Sequence, residues 1–218
     1  MLRFTTILYE LGDTTQAFAY VAAAKAYLSA RDYAQIAYMP ALIRRDAKAQ
    51  IEAARTGQPS GGSGNLSAPV AIAVAYRFAG NRTMARAYAD SARAVDDTII
   101  TRIRSLGNLF GQRSTAELQT AIALAAAGDS AHAVPMGERA AAAYTRKDDA
   151  IDGVYSSYYL ALVYALSGRR KDAIAQLREA MRPPLAITPV NLRLDPFWDS
   201  LRGDPEFQAL ARGPVPTR

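Results

Sequence analysis

Few side chains in this 218-residue chain could do chemistry by type and spacing, and each has a structural role that explains it equally well. His132, the single histidine, follows Asp129 by three residues and could act as a general base only beside an acid or nucleophile. Asp129 reads instead as a helix cap, which leaves His132 as a surface or groove residue. Asp148, Asp149 and Asp152 could be drawn around a cation. No Gly-and-acid loop of the EF-hand type surrounds them, and they read as the opening of a helix, where carboxylates complement the positive end of the backbone dipole. Gly61-Gly62-Ser63-Gly64 lacks the lysine of a phosphate loop, and no GxGxxG follows a strand. With no cysteine, disulfides and thiolate metal ligands are excluded. The sequence therefore predicts no catalytic residue, no cofactor and no metal.

Charge adds little. Lys and Arg number 26 against 20 Asp and Glu, a formal +6. The cations are scattered except at Arg44-Arg45 and at Arg169-Arg170-Lys171, which Asp172 follows at once. That pattern fits a solvated edge and argues against a nucleic-acid partner, which needs clustered cations to release counterions from phosphate. No segment approaches the length of a membrane span, and the opening MLRFTTILYELG is too short in its apolar stretch for a signal peptide. The expected location is cytoplasmic.

The elements that must position these residues announce themselves by a spacing. A Gly is followed by Ala five residues later and by another Ala seven beyond that, at Gly12/Ala17/Ala24, Gly80/Ala85/Ala92, Gly128/Ala133/Ala140 and Gly168/Ala173/Ala180. Four residues before each Gly stands Leu8, Tyr76, Leu124 or Tyr164. This describes a helix ending in a bulky knob, a glycine turn, and a second helix with small residues where the first approaches closely. The predicted class is all-α, a solenoid of antiparallel helical hairpins over 1–182 closed by a short helical cap within 183–218, ending in a disordered tail.

Helices are expected at 14–30, at 32–56 with an interruption near Pro40, at 68–79 with 82–105, at 114–127 with 130–144, and at 150–167 with 170–182. Ser114 and Asp129 serve as N-caps. Residues 1–11 read as the tail of a helix with Phe4, Leu8 and Leu11 on one face, as if the chain began inside a repeat of a longer protein. Gly57–Leu66 reads as a flexible loop within one solenoid, and a second loop is expected at Gly107–Gly111. Thr188-Pro189, Asp195-Pro196 and Asp204-Pro205 each place a capping residue before a proline and predict three short helical turns. These turns carry Leu192, Leu194, Phe197, Trp198, Leu201, Phe207 and Leu210, an apolar load suited to covering the final repeat.

The spacing resembles the tetratricopeptide repeat family. The match is best at Tyr159-Leu160-Ala161-Leu162-Val163-Tyr164, Gly168, Asp172-Ala173, Leu177 and Ala180-Met181. Gly12 and Gly80 are 68 residues apart, twice that family's period of about 34, so residues 32–56 are expected to hold a degenerate repeat. Asp149 to Tyr155 and Leu192 to Phe207 are similar to the C-terminal ends of repeat tails on bacterial serine/threonine kinases and winged-helix or cyclase-type regulators. Kinase signature segments are absent from this sequence, so that activity is not carried over.

Stacked as in that family, the first helices would present Val70, Val74, Phe78, Leu118, Ile122, Tyr155, Tyr158 and Leu162 to an inner groove. The Lys, Asn and Arg clamp of the family's chaperone-binding members is missing there. Two readings stay open: the groove receives a protein or peptide, or it is filled by the protein itself, by a preceding domain or by another copy. The function that follows is a non-catalytic protein-interaction scaffold, the repeat region of a larger regulatory protein. The alternative is a structural protein that self-assembles by end-to-end stacking.

Overall fold

The computed structural model describes residues 7–8, 12–59, 66–103, 111–150, 153–183 and 187–213. The described residues are all-helical, with no strand among them. In chain order they form α1 (Thr14–Ala24), α2 (Ala30–Ile43), α3 (Ala47–Thr56), α4 (Ala68–Phe78), α5 (Arg82–Ile103), α6 (Gln112–Ala126), α7 (Ser130–Ala142), α8 (Val154–Leu166), α9 (Arg170–Ala180) and α10 (Pro189–Leu194). A 3-10 helix (Pro196–Leu201) and α11 (Pro205–Arg212) follow as the last elements among the described residues.

Two kinds of helix alternate, and composition explains why. In α4, α6 and α8 apolar residues run around the whole circumference. Val70–Ala75, Thr120–Ala126 and Tyr158–Ala165 are continuous buried runs, as a helix covered on several sides requires. By contrast α5, α7 and α9 bury one stripe each: Ala85, Ala89 and Ala92, then Ala133, Val134, Gly137 and Ala140, then Ala173, Ile174, Leu177 and Ala180. Accordingly α4, α6 and α8 lie side by side. Each striped helix packs on its own partner, and α3, α5 and α7 pack on the next apolar helix as well. The small stripe permits close approach: a methyl added at Gly137 would sit 3.3 Å from Leu160 Cδ1.

The turns follow one geometry. Gly80, Gly128 and Gly168 have φ of +73°, +86° and +76°. The next amide donates back to the carbonyl of the bulky residue: Asn81 to Tyr76, Asp129 to Leu124 and Arg169 to Tyr164, each at 2.9 Å. This is the left-handed C-cap that satisfies the last helical carbonyls.

Several sequence expectations need correction. The helix predicted over 14–30 stops at Ala24, because Ser29 starts a new one by accepting from the Asp32 amide at 3.1 Å. The interruption expected near Pro40 lies at residues 44–46: α2 runs through Pro40, whose carbonyl still accepts from the Arg44 amide at 3.0 Å. Ser114 is not a cap but is buried inside α6, which starts after Gly111 at φ +65°. Asp148 and Asp149 precede α8 in a turn instead of opening it. Asp148 accepts from the Thr145 amide at 2.7 Å and hydroxyl at 2.8 Å, and Asp149 from the Tyr144 hydroxyl at 3.2 Å. Most of the 1–11 helix tail, residues 60–65 of the Gly/Ser loop, most of the 107–111 loop, Asp152 and the tail at 214–218 lie outside the described residues.

Arg45 forms a turn between α2 and α3 that lacks glycine. It has φ +59°, its amide donates to Leu42, and the Asp46 amide donates to Ala41 at 2.9 Å. That is the hydrogen-bond pattern of the glycine turns with an arginine at the glycine position. Five residues on, Gln50 is buried where the other hairpins have Ala, and seven beyond that stands Gly57, the counterpart of the second small residue.

Candidate interaction surfaces

The residues expected to line the inner groove come together on α4, α6 and α8. Val70, Val74, Leu118, Ile122, Tyr158 and Leu162 are buried, Phe78 is half-buried, and Tyr155 is 37% exposed. What covers them includes the C-terminal segment of the same chain. Phe197 meets Phe78 edge-on with centroids 5.5 Å apart, Trp198 meets Tyr158 at 6.1 Å, and the 3-10 helix lies on α8. Phe197, Trp198, Leu201 and Phe207 are buried and Leu194 is partly so.

The cap reaches further than the end of the final hairpin, where sequence reasoning placed it. At one end, Glu206 on α11 pairs with Arg178 on α9 at 2.6 Å. At the other, Asp199 takes a two-pronged contact from Arg45, with Nη2 at 2.7 and 2.8 Å and Nε at 3.1 Å, across 154 residues of sequence. Val190 comes close to the first turn, within 3.9 Å of where a Gly12 side chain would begin. Residues 187–213 therefore form a strap that ties the last helices to α2 and α3, the second hairpin in sequence order.

The three predicted proline starts all hold. Thr188 and Asn191 form a reciprocal capping box, Asp195 accepts from the Phe197 amide at 3.0 Å, and Asp204 accepts from Glu206 and Phe207. Arg202 donates to the carbonyls of Arg193 at 2.8 Å and Asp195 at 3.2 Å and pairs with Asp199 at 2.7 Å. Burial and the nearby Asp199 carboxylate push the Asp195 carboxyl up to about 7, against the Phe197 amide, Arg202 and Arg45. Burial first and Asp195 second raise the Tyr38 hydroxyl, whose oxygen has no hydrogen-bond partner among the described residues. Sequence reasoning used Asp195 only as a cap; its burial between apolar neighbours Leu194, Phe197 and Trp198 was the available signal.

Two cavities open elsewhere. One, about 650 Å³, lies among α1, α2 and α3. Its walls include Phe18, Val21, Tyr33 and Ala37, with Lys25 and Arg44 on the α1–α2 side and Asp46 and Glu52 on the α3 side. The Arg44 guanidinium stacks over Phe18 at 4.5 Å and Lys25 reaches Tyr33 at 5.9 Å. Nearby on α1 and the turn after it, Tyr20, Tyr27 and Leu28 are exposed, Tyr27 at 88%. The other cavity, about 480 Å³, is lined from α4, α5 and α6 and contains Asp96. Sequence reasoning missed both. Asp96 could have been found, since it stands four residues beyond Ala92 and so continues the buried stripe of α5 with a carboxylate.

The remaining sequence candidates stay apart. His132 Nδ1 lies 2.8 Å from Asp129 Oδ1, and this bond, ahead of the backbone one, holds the Asp129 carboxyl below the usual range. Asp129 also caps α7 through the His132 amide. Arg169 stacks over Tyr164 at 5.0 Å and pairs with Asp172 and Glu138, which ties the basic run to the hairpin edge. Among the described residues no three His, Cys, Asp or Glu side chains are grouped to hold a metal ion, and no helix is long and apolar enough to cross a membrane. No protein family, no curated protein and no solved structure matches the chain.

Proposed function

We propose that this chain is a non-catalytic protein-interaction scaffold, a tetratricopeptide-like solenoid that forms the repeat region of a larger regulatory protein. The side-by-side packing of α4, α6 and α8, with each striped helix bridging to the next, supports the solenoid reading. One observation carries the choice of surface: the strap occupies the inner face at Phe78 and Tyr158, while the groove among α1, α2 and α3 keeps an apolar floor and charged rims. A protein segment with an apolar face and flanking charges of both signs complements that groove.

Photo-crosslinking from position 27 in the source cells, followed by binding measurements on the purified captured protein, tests this. Leu28→Asp should weaken binding about tenfold or more, as loss of a buried apolar anchor does, with Tyr155→Ala neutral. Equal affinities for wild type and Leu28→Asp would refute the surface. The exposed Tyr20, Tyr27 and Leu28 also favour a second reading, in which another copy of the chain supplies the contact. Light scattering against concentration separates the two, and a strictly monodisperse monomer rules self-assembly out.

A further inference from the structure

We propose that the cavity between α4, α5 and α6 is a binding site for an organic cation, with an ammonium seated on the Asp96 carboxylate and an apolar body lying against Val70, Val95 and Ile99. Asp96 is only 6% exposed, and its Oδ1 has no hydrogen-bond partner among the described residues. Thr120 supplies the side-chain hydrogen bond that the carboxylate does receive. An ionised carboxylate so placed is costly unless a cation reaches it.

Among the described residues no charge meets that need. Asp97 on α5 and Glu117 on α6 add negative potential, and Arg113 on α6, the cation that acts on Asp96, is paired with Glu117 at 2.9 Å and 59% exposed. Burial dominates, and the Asp96 carboxyl is pushed up to about 6. The walls suit a ligand with an apolar body: Val95 and Ile99 are exposed apolar side chains on the cavity lining, at 43% and 39%. Gln112 and Thr115 add polar groups at the same opening. At about 480 Å³ the space falls within the range of about 300–1,000 Å³ typical of small-molecule sites. It lies at the opposite end of α4 from Phe78 and the strap, so the site stands or falls independently of the scaffold reading.

Calorimetric titration of the full chain with phenethylammonium, phenethyl alcohol and phenylpropionate tests the proposal. The ammonium should bind best, with affinity rising as pH climbs through about 6 and Asp96 ionises. Asp96→Asn should weaken it about 10- to 100-fold, the worth of a charge-assisted hydrogen bond, and flatten the pH response. Ile99→Lys, at a half-open position three residues along α5, should abolish binding by supplying a tethered ammonium, with thermal unfolding confirming that both variants fold. A capped pentapeptide with one central lysine, titrated in parallel, separates a free amine from a protein-borne lysine by which binds tighter. Equal affinity for the alcohol and the ammonium, an unchanged Asp96→Asn, or no binding below about 10 mM would each overturn the proposal.

Discussion

Replacing Arg45 by glycine separates two opposed roles of one residue. A non-glycine residue in the left-handed region costs about 1–2 kcal/mol, and the extra freedom of glycine in the unfolded chain costs about 0.5–1, so relief of the turn alone is worth about 0.5–1 kcal/mol. Against this stands the lost contact with Asp199, whose partners are half-exposed at 52% and 41%; such pairs are worth about 0.2–1 kcal/mol. In the wild type the two effects nearly cancel, and Arg45→Gly should change stability by less than about 0.5 kcal/mol. With Asp199→Ala already present, the same substitution should stabilise by about 0.5–1 kcal/mol, because only the strain remains to be removed. Urea unfolding of the four proteins in the cycle reads both numbers. Destabilisation by more than about 1 kcal/mol in the Asp199→Ala background would refute the equivalence of Arg45 with the turn glycines.

Two further outcomes follow from the turns and the strap. Gly128→Ala meets open space and suffers only the φ penalty of about 1–2 kcal/mol, whereas the methyl of Gly153→Ala would land on the Thr145 carbonyl oxygen, an overpacking cost of about 2–3 kcal/mol. Urea midpoints should therefore fall further for Gly153→Ala, and the reverse order would contradict the described turn. Asp195 is raised from 3.8 in the unfolded chain to about 7 when folded, so between those values the folded state holds a proton that the unfolded state has lost. Its contribution is full below pH 4 and declines as pH rises towards 7, so stability should fall over that interval and Asp195→Asn should remove that part of the slope. A pH profile unchanged by Asp195→Asn would show the carboxyl to be solvated.

The glycine spacing made the hairpins legible because a left-handed turn that places a backbone amide on a knob carbonyl is a local requirement, met within six residues. Where the requirement could be met otherwise, the spacing failed. Arg45 adopts the same turn without glycine, held by a contact 154 residues away that no local pattern encodes. Ser29 with Asp32 was a readable helix start, but the alanine-rich run from 17 to 26 continued the helical period across it. Ser114 looked like a cap by residue type, but the helix starts earlier, after Gly111 at positive φ, and encloses it. The residues assigned to an inner groove came from stacking the helices as the family resemblance implies, and nothing local in the sequence named what covers Phe78 and Tyr158. Covering Phe78 and Tyr158 by Phe197 and Trp198 brings together residues about 120 and 40 positions apart, a packing that no local pattern encodes.

The hairpin of α2 and α3, whose turn has arginine in place of glycine, is also the one the strap holds through a forked ion pair, and the two facts have a common cause. A glycine at position 45 would relax the turn but offer no side chain to the strap, while an arginine there turns a strained backbone position into a forked donor aimed at Asp199. Asp199 is shared with Arg202, which in turn holds the carbonyls of Arg193 and Asp195, so the contact at Arg45 is continuous with the hydrogen bonds that shape the strap itself. Loosening this corner should therefore loosen the strap from the second hairpin before it disturbs the packing of α6, α7 and α8, whose contacts do not pass through it. Hydrogen exchange would read that order directly: in Arg45→Gly the amides of 197–201 should lose protection while those of α6 keep theirs. Equal loss in both would mean that the strap and the array unfold as a single unit.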